Sequence, residues 1–344
     1  MAVARAIREL KSAFPEGHVV SGADEKFTPL NQSYFSAVQS EVQPAAMFLP
    51  SSKEDVKWPL LFSSREGFIT DNVIEFEIVL SSGDIVVANS DTNTDLFIAL
   101  RGGGNNYGIV TRYVFRTFKQ GPFWGGYVYY FPSSFPGQIE AYVNELKKPD
   151  ASKETHITIS AGFSSQFAQM DVLCLNQIYG LEEEGSPALL QPFADVATLT
   201  AAYESYVASL GPLKSMNGLT TSLTLQGYPV SLLQKTTERG GNSLGIDATE
   251  GPLMSILILT FWQDKGDDAK IQATFKGVIE DIDRDAAQRG TSSSYKYMNY
   301  AAPFQDPIGS YGEKKKAQLQ AVSKKFDPEG LFQKGCPGGW KLFE

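Results

Sequence analysis

Three consecutive glycines, Gly102-Gly103-Gly104, stand between a helix-like run and a strand-like run, and that order constrains the fold more than any other stretch. Thr94 can cap a short helix over Asp95 to Leu100, and the glycines that follow are the residues at which helices stop. Gly108 to Phe118 then reads as an apolar-rich strand. The order is the reverse of strand, glycine turn, helix, which is the order that lays a dinucleotide pyrophosphate on a helix N-terminus. A P-loop is excluded too, because no Gly-Lys-Ser/Thr follows. Three residues without Cβ atoms let a flat ligand approach the backbone closely. Taken alone, such a run is more often a flexible turn.

On the N-terminal side, Asn72 to Val79 alternates, with Val73, Phe76 and Ile78 set against Glu75 and Glu77. Ser81-Ser82-Gly83-Asp84 supplies a tight turn, and Ile85 to Val87 resumes as a strand, which together predict a β-hairpin. Further upstream, Ala2 to Phe14 has the apolar spacing of one helical face. Ser51 to Asp55 reads as a helix start, yet Val56-Lys57-Trp58-Pro59 breaks that helix almost as it begins. A capping signal without its helix marks a place where chain has been lost.

From Trp124 the texture changes. Strands are expected over Tyr127 to Phe131, Ile157 to Phe163, Met170 to Ile178 and, as a long buried strand, Leu253 to Trp262. Helices are expected over Phe135 to Leu146, Leu189 to Val196, Leu199 to Ser209 and Asp267 to Arg284. There is no βαβ rhythm, so the expected class is α+β.

The 344 residues suit two domains, or one large one. A net charge of -9 and no Lys/Arg-dense run argue against nucleic acid as a partner. Lys314-Lys315-Lys316 reads as the solvated face of a helix, and Asp267-Asp268 and Glu182-Glu183-Glu184 as solvated turns. The two histidines, His18 and His156, sit in no ligand motif, and Cys174 and Cys336 read as lone thiols, so no metal site is expected. No run of about 18 apolar residues is present, so no membrane span is expected. Charges within Met1 to Phe14 argue against a signal-peptide core, which makes a cytoplasmic location the expectation and secretion the alternative. No Gly-x-Ser-x-Gly elbow and no recognisable Cys/His dyad occur.

The C-terminal stretch Tyr295-Lys296-Tyr297-Met298-Asn299-Tyr300-Ala301-Ala302-Pro303 is the densest cluster of reactive side chains. Read as a strand, it puts Tyr295, Tyr297 and Asn299 on one side, with Tyr300 turning at its end. A phenol there can donate, accept or, with a lowered pKa, lose a proton; the plain alternative is ordinary core tyrosines. Tyr311 to Phe326 predicts an amphipathic helix, and Phe326-Asp327-Pro328-Glu329-Gly330-Leu331-Phe332 a tight turn.

In this order, the elements resemble the berberine-bridge-enzyme-like FAD-linked oxidases of fungal type. The resemblance is carried by Asp71-Asn72-Val73 with Glu77 to Leu80, by Asn93 to Thr111 (NTDLFIALRGGGNNYGIVT), by Gly240 to Asp268, by Tyr297-Met298-Asn299-Tyr300, and by Tyr311-Gly312 with Phe326 to Phe332. It implies a truncated PCMH-type FAD-binding domain over 1–123. A substrate domain over 124–289 would carry an antiparallel sheet backed by helices, and a tail over 290–344 would return to the flavin domain. By resemblance, Asn106, Gly108, Ile109 and Val110 would line the flavin through their backbone, Tyr297 and Asn299 would touch it from the tail, and Tyr300, with Tyr297, would be the catalytic phenol. The implied reaction is oxidation of a small molecule by hydride transfer to flavin, with O₂ reoxidising it.

The chain departs from the family between Val56 and Phe68, where Val56 to Leu61 joins directly to Phe62-Ser63-Ser64-Arg65-Glu66-Gly67-Phe68. The family has there the glycine loops that hold the pyrophosphate and a histidine that often bonds the flavin. The FAD implied is therefore non-covalent. Where members commonly carry Asp before the tail proline, this chain has Ala302. The competing expectations are a flavin-free relative guiding a cyclisation or dehydration, and a non-catalytic remnant.

Overall fold

The structure, a computed structural model, describes residues 11, 19–32, 46–48, 66–118, 123–148, 151, 155–167, 172–181, 197–336 and 338–343. The helix expected over 2–14 (apart from Lys11), the 51–65 junction and the helix expected over 189–196 lie outside them. The strands are β1 (Val19–Ser21), β2 (Ala46–Phe48), β3 (Val73–Val79), β4 (Ile85–Asn89), β5 (Ile109–Phe115), β6 (Phe123–Tyr130), β7 (Thr155–Ser164), β8 (Leu173–Leu181), β9 (Thr220–Tyr228) and β10 (Leu253–Phe261). The helices are α1 (Phe27–Asn31), α2 (Thr94–Leu100), α3 (Phe135–Leu146), α4 (Ala197–Ser209), α5 (Val230–Glu238), α6 (Asp268–Arg289), α7 (Pro307–Ser310), α8 (Glu313–Phe326) and α9 (Leu331–Lys334). Every strand pairing is antiparallel, and the class is α+β as the sequence predicts.

The predicted hairpin is β3–β4, closed by Leu80 N–H on the Asp84 carbonyl at 2.9 Å. With β5 it forms a three-stranded sheet of order β4-β3-β5. The alternation works as expected: Val73, Phe76 and Ile78 are buried, while Glu75 and Glu77 are not. Phe76 and Phe97 meet edge-on at 5.8 Å, seating α2 on this sheet. The cap of α2 differs from the expectation: the N-cap is Asn93, in a left-handed conformation (φ 48°), and Thr94 is already helical. Asn93 adopts φ > 0 more readily than a β-branched residue, and its amide donates to the Val87 carbonyl at 2.8 Å.

The five-stranded sheet has the order β10-β9-β7-β8-β6. Helices α3, α4 and α6 cover one face, where Ile139, Tyr206 and Phe275 pack against Ile159, Leu223 and Leu225. Each such side chain withdrawn from water contributes about 1.5–3 kcal/mol. The strand over Leu253–Phe261 is a correction: it is long, but it is an edge strand and half-buried, with Leu259 exposed. An apolar run does not distinguish a central strand from an edge strand. Strand β9 and helix α5 were not anticipated from the sequence. Although α5 and residues 242–246 lie between β9 and β10 in sequence, Leu232, Leu233, Leu244 and Ile246 join the core under β3 and α2.

A buried polar cluster holds that excursion in place. Asp71 accepts from Thr236 Oγ1 at 2.7 Å and from Asn242 Nδ2 at 2.8 Å. Burial pushes its carboxyl up, against the lowering effect of those bonds and of Arg101. Arg101 donates to the carbonyls of Val73, Arg239 and Gly241 and lies 4.1 Å over the Phe97 ring. Arg239 reaches back to the Asn72 amide oxygen and pairs with Glu66 at 2.8 Å.

Candidate functional site

The tail stretch 295–300 is not a strand. Tyr297 is extended, and Met298–Tyr300 forms a 3-10 turn in which Tyr300 N–H bonds to the Tyr297 carbonyl at 2.9 Å. Among the described residues no neighbouring strand satisfies this backbone, and it turns on itself. The turn brings Tyr297 and Tyr300 together, their rings edge to face at 4.7 Å, and Asn299 Nδ2 donates to Tyr297 Oη at 2.9 Å. Tyr300 and Asn299 are exposed, and Tyr297 is half-buried. Burial raises both phenols; at Tyr300, Tyr297 adds to the effect, and at Tyr297 the Asn299 bond opposes it. Both are therefore neutral hydrogen-bonding groups at physiological pH, not phenolates.

Behind this pair lie Tyr295, which the alternation placed with Tyr297, and two tyrosines not named as site residues, Tyr311 and Tyr228. Tyr295 stacks on Tyr311 at 6.0 Å, and Tyr311 donates to the Gly102 carbonyl at 3.1 Å. Tyr228, the last residue of β9, is close enough to Tyr297 and Tyr300 for both to raise it, after burial. Only the tertiary fold brings β9 to the tail, so no local signal marked Tyr228.

The glycine run and the tail meet through the C-terminal residues. Asn106 is fully buried, and its amide donates to the carbonyls of Gly103 at 2.7 Å and Trp340 at 2.9 Å, while its oxygen accepts from Gln333 at 2.8 Å. Trp340 Nε1 in turn donates to the Met298 carbonyl at 3.2 Å. Asn106 and the Tyr297–Tyr300 turn are thus joined through one tryptophan. Gly108 directly precedes β5, Ile109 is exposed and Val110 is half-buried.

A bound flavin has to fit this arrangement. Two of the three glycines offer no bare backbone: a Cβ on Gly102 would lie 2.7 Å from Leu244 Cδ2, and one on Gly103 would lie 2.5 Å from the Ala99 carbonyl with Tyr107 beside it, whereas Gly104 is exposed and an added Cβ there comes no closer than 3.4 Å to Met298. The missing side chains make room for the chain's own packing. A flat ligand is offered the exposed Tyr300 ring with the exposed Asn299 amide beside it, and Ile109 is exposed at the start of β5. An aromatic ring next to a neutral amide is chemically compatible with the ring end of a flavin.

The other face of the five-stranded sheet opens beside the same tyrosines. Its outward residues grade from exposed at Thr220 and Phe261 to buried at Thr158, His156 and Tyr228. Thr158 Oγ1 lies 3.1 Å from His156 Nε2, and burial holds His156 down at about 4. Because that value is depressed from 6.5, the neutral form stabilises the fold above pH 6.5, and this contribution is lost as pH falls from 6.5 toward 4. The expected loss is up to about 3 kcal/mol. Urea unfolding at pH 7 and pH 4 should show it, and His156→Gln should flatten the difference.

Among the described residues, no group of His, Cys, Asp and Glu is arranged to hold a metal, and no helix is long and apolar enough to cross a membrane. Cys174 and Cys336 are free thiols.

No protein-family profile matches the chain. It is 31% identical over 330 residues to a FAD-dependent monooxygenase of Fusarium proliferatum, covering 81% of this chain and 64% of that protein. It is also 31% identical over 325 residues to an oligopeptidase, PhomG', of Diaporthe leptostromiformis, covering 82% of this chain but only 26% of that protein. The chain therefore spans under two-thirds of each of these relatives. Among solved structures, the xylooligosaccharide oxidase of Myceliophthora thermophila C1 superposes with a TM-score of 0.59 at 19% identity, covering 80% of this chain and 67% of that one. A berberine-bridge-enzyme-like protein of Physcomitrella patens gives 0.58 at 17% identity, covering 82% and 68%. The chain has the fold of the PCMH-type FAD-binding oxidases over about 80% of its length.

Proposed function

We propose that the chain is an FAD-linked oxidoreductase, an oxidase acting on a small molecule of fungal secondary metabolism. The observation that carries this reading is the convergence of Asn106 with the Tyr297–Tyr300 turn through Trp340, which assembles residues about 190 positions apart into one edge. The relatives named as FAD-dependent and the shared fold support it. In this reading residues 1–123 are the shortened flavin part, 124–289 the substrate part and 290–344 the returning tail.

When bound, FAD would supply the redox chemistry, as acceptor of a hydride from the substrate and donor of the electron pair to O₂. The chain's own residues hold and orient. The backbone of Gly108, Ile109 and Val110 would border the ring, with Asn106 fixing that loop from behind. Tyr297 and Asn299 would border it from the tail, and the attachment would be non-covalent. Tyr300, a neutral phenol that is exposed to solvent, would accept the substrate's hydroxyl proton as its own proton passes to water, so that it stores no charge.

The purified protein is expected to show flavin absorption bands, as isolated or after soaking with excess FAD. A featureless spectrum that FAD does not alter would end this reading. Tyr300→Phe is expected to lower oxygen-coupled turnover by about 10²-fold or more while flavin uptake stays within twofold. Unchanged turnover would remove Tyr300 from the chemistry. The filled glycine run favours one second reading, a flavin-free relative guiding a cyclisation or dehydration at the same tyrosines, and a colourless but active protein would establish it.

A further inference from the structure

The open face of the five-stranded sheet carries no formal charge at any described outward position of β6, β7, β8, β9 or β10. In a chain that is 20% charged with a net charge of -9, a sheet face meant only for water would carry acids and bases. This one carries hydroxyls, amides, aliphatics and aromatics. Ser160 and Thr224 share a hydrogen bond at 3.0 Å across β7 and β9, and Gln177 donates to Tyr127 Oη at 2.9 Å across β8 and β6. The neighbouring groups are neutral as well. Tyr228, Tyr297 and Tyr300 are phenols, and burial holds His156 as the neutral imidazole. The charges closest in sequence to the tyrosine pair are withdrawn: Lys296 pairs with Asp283 at 3.0 Å.

We propose that this face binds an uncharged small molecule bearing hydroxyl or carbonyl groups, and that it excludes carboxylates, phosphates and ammonium ions. The physical reason is desolvation. A charged group laid against half-buried hydroxyls loses water and gains no counter-charge, whereas a neutral hydroxyl exchanges one hydrogen bond for another. The gradient of burial sets the binding end. The face is most enclosed at Thr158 and Tyr228, the latter close to Tyr300, and it is open toward Thr220 and toward Tyr127 and Tyr129 on β6. The inference rests on the proposed function only in taking this face as the substrate side; binding here needs no flavin.

The experiment uses three probes of one shape: 4-hydroxybenzyl alcohol, 4-hydroxybenzoate and 4-hydroxybenzylamine, titrated at pH 7 by ligand-observed NMR. The alcohol is expected to bind at least about tenfold more tightly than either ion. Thr224→Lys, at the centre of the face, is expected to weaken the alcohol and to give the benzoate a measurable affinity. Thr220→Lys, at the open end, is expected to change neither. Equal binding of an ion, no binding of any probe at millimolar concentration, or a Thr224→Lys protein that gains no benzoate affinity would each overturn the proposal. The comparison among probes on the unsubstituted protein stands even if Thr224→Lys fails to fold. A protein that takes up no FAD yet prefers the alcohol sinks the oxidoreductase reading alone. One that binds FAD and accepts the benzoate equally sinks only this inference.

Discussion

Replacing Arg101 with methionine is expected to destabilise the fold by about 3–5 kcal/mol, measured as a fall in the urea midpoint at unchanged slope. Arg101 is 2% exposed, so nearly all of its guanidinium is out of water. It carries its charge only because the carbonyls of Val73, Arg239 and Gly241 accept from it, Phe97 lies beneath it and Asp71 lends a favourable field. Burial nevertheless pulls it down to about 10. Methionine conserves much of the apolar packing but leaves three buried carbonyls without their donor and Asp71 without its neighbouring cation. The loss should fall mainly on the seam between residues 66–73 and 236–243, because the cluster is the chief polar tie there. Hydrogen exchange should therefore accelerate in α5 more than in α3. A variant within 1 kcal/mol of the parent, with α5 still protected, would show that the apolar contacts of Leu232 and Leu233 hold the seam alone.

Gly245→Ala is expected to cost about 3–4 kcal/mol, again by urea unfolding. Two penalties coincide at this position. Its φ of +76° lies in the left-handed region, which costs an L-residue about 1–2 kcal/mol. A Cβ there would also lie 2.8 Å from Tyr311 Cα, and backbone yields less easily than the end of a side chain. Overpacking of that kind typically adds about 1–3 kcal/mol. Tyr311 is the residue that bonds to Gly102 and stacks on Tyr295, so displacing it should also disturb the tyrosine cluster. Gly83→Ala is the control: it shares the positive φ but has no atom within 4 Å of the added Cβ, and it should cost only the conformational part.

Elements whose residues answer to their immediate neighbours were legible in the sequence. The β3–β4 hairpin, α3 over Phe135–Leu146, the pairing of β7 with β8, and α8 all follow from periodicity and turn chemistry acting over a few residues. The order of elements without a βαβ rhythm was enough to settle the α+β class. Tyr297, Asn299 and Tyr300 were legible as a group because they are adjacent in the chain.

What lay beyond the sequence depends on contacts between distant segments. The glycine run reads locally as an opening for a ligand; in the fold the distant Leu244 closes over Gly102, and Tyr107 and the Ala99 carbonyl, from the run's own flanks, fill the space at Gly103. Nothing local marked Asp71 and Arg101 as buried; α5 and Asn242 close over Asp71 from a distant part of the chain. The 295–300 stretch alternates like a strand, but a strand needs a partner, and none is beside it. The uncharged face existed in the sequence only as alternate residues of five separate segments, and strand register alone decided that they look the same way. Local propensity therefore determined the elements, while long-range packing determined which of their groups are buried, neutral and brought together, because burial and hydrogen-bond partners are properties of neighbours in space.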